Sequence, residues 1–248
     1  MIEWLKQHIL SIVGVSIVSI VLLVAVAWGK KQTPKTVSCQ AIVYEILDSR
    51  QRMYVEEDQL NLTLNIAGLY PVGQPLSNIS LSKMEQTFKN HPMIETAECF
   101  LQPDNVVKVQ LTQRVPLLRV ELAKDTFLID THRRRMEAWP SVKDKVLLVK
   151  GKADEELAST QLADLAQWLK GNAYWRERVE YVEMMSPEMM HLYLHDHPQV
   201  KIIMGEIDGY TAKLAKLKTF MENGKEATKD KNYTELDLRF KDQVVGRK

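Results

Sequence analysis

The sequence predicts an α+β chain behind a single membrane-spanning helix, and three observations carry that reading. An uncharged apolar run occupies Ile9 to Trp28, apolar residues then alternate at period two in several short segments, and between these lie stretches with apolar spacings of three and four. Alternation marks half-buried strands and the longer spacing marks amphipathic helices. Their order gives a β-α-α-β-β unit followed by a mixed β-sheet with flanking helices.

At about 1.5 Å per helical residue the first run reaches roughly 30 Å, the thickness of a bilayer's hydrocarbon layer. Ser11, Gly14, Ser16 and Ser19 are its only small or polar interruptions besides alanines, and Trp28 stands where an interfacial aromatic sits. It has no polar stripe, unlike a buried core helix. Ala25-Val26-Ala27 has the form that signal peptidase accepts, but the run is long for a signal core and Lys6 is the lysine of a thin basic n-region. The expectation is a retained anchor. Lys30, Lys31 and Lys35 follow the run, so a literal positive-inside count would place the long C-terminal part in the cytoplasm.

The 248 residues leave, behind the anchor, enough chain for two modest domains. A formal net charge of +1 and the lack of a basic stripe interleaved with aromatics speak against a nucleic-acid partner. Cys39 and Cys99 lie far apart without CxxC or histidine spacing, so the expectation is buried thiols, a disulfide being permitted in an oxidising compartment. Asn61, Asn78 and Asn232 head glycan-type triplets that arise often by chance.

After the linker, Val37, Cys39, Ala41 and Val43 alternate as a strand. Glu56, Glu57 and Asp58 open a helix with Leu60 and Leu64 on one face, stopping at Gly68. Ser82 and Glu85 have capping-box spacing for a second helix carrying Met84 and Phe88. Ile94 to Leu101 and Val106 to Thr112 then read as a hairpin around Gln102-Pro103-Asp104-Asn105, with Val107, Val109 and Leu111 inward.

Phe127-Leu128-Ile129-Asp130 is an apolar strand ending in an acid, followed by the basic tip His132-Arg133-Arg134-Arg135, read as a solvated turn or strand edge. Val146 to Gly151 is a strand, and a helix from Asp154 to Gly171 presents Ala158, Leu162, Leu165 and Leu169. Three short strands follow, Val179–Met184, Met190–His195 and Val200–Met204, turned at Ser186-Pro187 and His197-Pro198. A last helix puts Tyr210, Leu214, Leu217 and Met221 on one face, with Lys213 and Lys216 turned away. The final strand is expected at Thr234 to Phe240, extending towards Val245.

No catalytic motif is present: H-E-x-x-H, a Gly-rich phosphate loop and G-x-S-x-G are all missing. His191, His195 and His197 share a face if their strand is unbroken, but His191 and His195 would then stand about 13 Å apart, too far to share an ion. Asp130, Asp237 and Arg239 read as strand-end or cross-strand charges. The expectation is a non-enzyme without cofactor, metal or small-molecule substrate.

The Met93-Ile94-Glu95-Thr96-Ala97 stretch and the closing Gln113-Arg114-Val115-Pro116 resemble a POTRA domain of the FtsQ/DivIB family, whose phrases there are "W-V-x-x-A" and "E-R-x-P". Leu236-Asp237-Leu238-Arg239-Phe240, continuing to Val244-Val245, is similar to that family's "I-D-L-R-Y" ending, with Phe240 in place of tyrosine. The resemblance implies a cytoplasmic tail at 1–8, a transmembrane helix at 9–28, a linker at 29–35, a POTRA-like domain at 36–116 and an FtsQ-type β domain at 117–248. It also implies a single-pass bacterial inner-membrane protein, bulk periplasmic, at the division septum, since long domains translocate largely regardless of flanking charge.

The family's FtsB, with FtsL, docks at the C-terminal end, and the matching positions are Arg239, Phe240, Lys241, Gln243, Val244, Val245 and Gly246. The expected mechanism is β-augmentation of a terminal strand that nothing after Lys248 covers. The alternative is a POTRA-bearing secretion adaptor that binds client strands along the first unit's edge. A third reading, an anchored hydrolase, lacks a catalytic group.

Overall fold

The computed structural model describes residues 19–24, 37–50, 53–138, 145–223 and 233–248. The expected span at 9–28 lies outside these except for 19–24, which are helical and exposed; among the described residues no helix is long and apolar enough to cross a membrane.

The first module runs β1 (Ala41–Ile46), α1 (Glu57–Ile66), α2 (Leu81–Lys89), β2 (Ile94–Leu101) and β3 (Val106–Gln113), with sheet order β1-β3-β2. β1 joins β3 in parallel and β2 joins it antiparallel. Alternation decides what is buried: Val107, Val109 and Leu111 meet Leu60, Leu64, Met84 and Phe88 from the helices, while Lys108, Gln110 and Thr112 face out. Cys39 and Cys99 are free and buried, and burial pushes the Cys99 thiol up to about 12. The expected capping box is not made. The helix starts after Ser80, and Glu85 instead accepts the Cys99 N–H at 2.9 Å.

The second module is a nine-stranded sheet. Its strands are β4 (Pro116–Glu121), β5 (Thr126–Asp130), β6 (Arg135–Glu137), β7 (Leu147–Gly151), β8 (Val179–Ser186), β9 (Met189–Leu194), β10 (His197–Gly205), β11 (Glu235–Asp237) and β12 (Val245–Arg247). Their order is β12-β11-β10-β9-β8-β7-β4-β5-β6. One face is covered by α3 (Glu155–Ser159), α4 (Gln161–Gly171) and α5 (Tyr210–Asn223), whose Ala158, Leu165, Leu169, Leu214 and Leu217 pack with Val120, Val149, Val182, Leu192 and Ile202. On the other face Leu128 and Met136 are buried in the first module's core, so packing crosses from one sheet to the other.

Several expectations change. The helix from Asp154 to Gly171 breaks at Thr160, whose φ of −111° and ψ of −96° leave the helical region. The chain turns at His195–Asp196 rather than at His197-Pro198, so β10 begins earlier. β4 and β6, not expected from the pattern, flank β5.

Candidate functional site

The expected terminal ribbon is two strands. β11 ends at Asp237, Leu238 to Val244 leave the sheet, and β12 returns antiparallel with Asp237 facing Val245 and Glu235 facing Arg247. β11 therefore lies between β10 and β12. The expectation that Thr234 to Val245 forms one open margin is wrong, because β11 is already paired on both sides. The margin is β12, whose outer side has no strand partner among the described residues.

Asp237, fully buried, closes the end of β11 by accepting from its own chain: Arg239 Nε donates to Oδ1 at 3.0 Å and a terminal nitrogen to Oδ2 at 2.6 Å. Those charge-assisted bonds hold the Asp237 carboxyl below its ordinary value despite burial. The Arg239 stem crosses Gly205, at φ +71°, where a Cβ would lie 2.9 Å from Arg239 Cγ. Glu235, between Lys201 at 2.7 Å and Arg247 at 2.9 Å, ties β10, β11 and β12 together.

The loop before β12 is held from α5. Lys216 Nζ donates to the Leu238 carbonyl at 2.9 Å, to that of Lys241 at 3.4 Å and to that of Phe240. Lys213 reaches the Glu206 carbonyl at 2.6 Å. Neither lysine is turned away, contrary to the expectation from helical spacing alone. Between α5 and this loop runs an open groove of about 990 Å³, lined by Lys213, Lys216, Phe220, Tyr233, Phe240 and Lys241 among others. At its end the Tyr233 ring, packed edge-on to Phe220, lies against Gly246, where a Cβ would fall 2.3 Å from the ring.

Of the seven expected docking positions, Val245 and Gly246 lie on the edge strand itself. Arg239, Phe240, Lys241, Gln243 and Val244 line the groove beside it. Phe240 is 44% exposed, whereas Val244 packs on the core. Lys216, Phe220 and Tyr233 join the site without having been foreseen. Helical spacing left Lys216 on an outer face, and no local signal relates it to carbonyls more than twenty residues on.

The three clustered histidines are separated by the turn: His191 is central in β9 beside Glu183, His195 is in the turn and His197 opens β10. Among the described residues, Glu95, Asp130 and His132 bring ligand atoms within 4.8 Å of one another. Arg114 and Arg134 already occupy the Asp130 carboxylate, so the cluster's charge is met by guanidinium groups. The arrangement is one for ion pairing.

A family model described as FtsQ/DivIB, C-terminal related, matches residues 115–247, and one described as a POTRA-like domain matches residues 37–112. A comparison with curated proteins returns no match. The POTRA-like match coincides with the three-stranded module, and the other takes in the whole nine-stranded sheet with its folded-back ending. With more than half of its residues inside that second match, the chain belongs to the FtsQ/DivIB C-terminal related family.

Proposed function

We propose that this protein is a non-enzymatic, single-pass scaffold of the bacterial divisome, anchored in the inner membrane by residues 9–28 with its bulk in the periplasm. It links division proteins at the septum by accepting a partner's β-strand along β12. Family membership supports the division role. The observation that carries the mechanism is the position of Val245–Arg247 at the sheet's margin, with its outer backbone groups facing no strand among the described residues. The partner is the family's FtsB and FtsL pair. Lys213, Lys216, Arg239 and Lys241 against Asp242 make the groove beside β12 more basic than acidic, which favours an acidic segment flanking the incoming strand.

The test compares copurification of the FtsB and FtsL pair by the full chain and by a chain ending at Val244, with a thermal melt to show that the truncated chain stays folded. Recovery should fall at least tenfold on truncation. Undiminished recovery by the truncated chain disposes of the edge.

The secretion-adaptor reading would use a margin of the first sheet, β1 or β2. On β2 the Glu85 carboxylate already takes the Cys99 amide, so that margin is partly closed.

A further inference from the structure

The basic tip at 132–135 is an exposed turn, as its charge implied, but it is not idle: its three arginines reach different partners from the β5–β6 turn. Arg133, at φ +63°, donates to the carbonyls of Ser159 at 3.3 Å and Thr160 at 3.2 Å, where the helix breaks, and pairs with Asp164. Arg135 pairs with Asp125 at 2.8 Å and Glu155 at 3.5 Å, and its guanidinium lies 4.1 Å from the Phe127 ring centroid. These two fasten the turn to its own module. Arg134 points the other way, pairing with Glu95 on β2 of the first sheet.

Beneath the turn lies Asp130, with no exposed surface. It accepts from Arg114 Nε at 2.9 Å, from Arg134 Nε at 3.0 Å, and from the backbone amides of His132 at 2.9 Å and Arg134 at 2.8 Å. Arg114 sits in the link between β3 and β4 and also donates to the carbonyls of Pro92, Arg134 and Arg135. Around this network Leu128 and Met136 are buried in the first module's core. Rotating one module against the other would strip Asp130 of a guanidinium and expose both side chains, so intermediate orientations are disfavoured.

We infer that the Arg114–Asp130–Arg134–Glu95 network is a coupling joint that locks the first module and the nine-stranded sheet in one orientation. The direction in which the C-terminal edge faces is then set by the module next to the membrane. The four residues are positioning residues and touch no partner. The inference does not depend on what binds β12.

The test places spin labels at Lys83→Cys on α2 and Lys170→Cys on α4 in the full chain in detergent micelles. Both positions are exposed, while native Cys39 and Cys99 are buried. Pulsed electron resonance should read one narrow distance in the parent. Arg114→Ala or Arg134→Ala should at least double its width or add a second distance, while circular dichroism shows both sheets folded. Arg134 is half exposed, so its variant serves if Arg114→Ala fails to fold. A broad distribution in the parent, or an unchanged one in every folded variant, overturns the coupling.

Discussion

Gly246 has no room for a side chain, because the Tyr233 ring occupies the space a Cβ would take. Gly246→Ala should therefore push the ring or β12 aside at a cost of about 1–2 kcal/mol, lowering Tm by roughly 2–8 °C and weakening capture of the partner pair. A thermal melt and a pull-down check both. The two buried aspartates have a different signature. For Asp130, burial pushes the carboxyl up, but the Arg134 amide and the guanidinium groups of Arg114 and Arg134 outweigh it, and for Asp237 the Arg239 bonds dominate; both carboxyls sit below the ordinary 3.8. A carboxyl depressed in the folded state stabilises above its unfolded value and loses that contribution as pH falls through the folded one. Tm should thus fall below pH 3.8. Asp237→Asn should show a shallower acid decline than the parent in melts across pH.

At the level of elements, the last loop is the place where the sequence pattern misled. Leu238-Arg239-Phe240-Lys241-Asp242-Gln243-Val244 holds no glycine or proline, the usual marks of a reversal, and its alternation continues that of β11. The reversal is stabilised instead from α5 by Lys216 and from within by the Asp237–Arg239 pair. Lys216→Met keeps the apolar stem and removes the donors, leaving three carbonyls to water or to nothing. It should raise amide exchange across Leu238 to Arg247 by about tenfold, equivalent to roughly 1–2 kcal/mol, with little change in β7 or β8. Most other elements were legible because their periods are local. Val107, Val109 and Leu111, and equally Leu162, Leu165 and Leu169, face the core where their spacing put them. β4 escaped notice because its first residue, Pro116, was read as the end of the closing phrase Gln113-Arg114-Val115-Pro116, and the break at Thr160 because Arg133, which holds its carbonyl, is twenty-seven residues away in sequence.

For the whole molecule, the order of the two modules was readable, while the way they are joined was not. The arginine run is a surface turn, as expected, but its ion pairs were not readable, because Glu95, Asp125, Asp130, Glu155 and Asp164 approach it only once both sheets are folded. The proposed docking edge and the joint lie at opposite ends of the nine-stranded sheet, since β12 is one margin and β6 the other.

Strand addition at β12 is tested most directly by backbone amide exchange of Val245 to Arg247 with and without the FtsB and FtsL pair. Binding should slow exchange there at least tenfold and leave β2 unchanged. Protection of β2 with none at Val245 to Arg247 would contradict the claim.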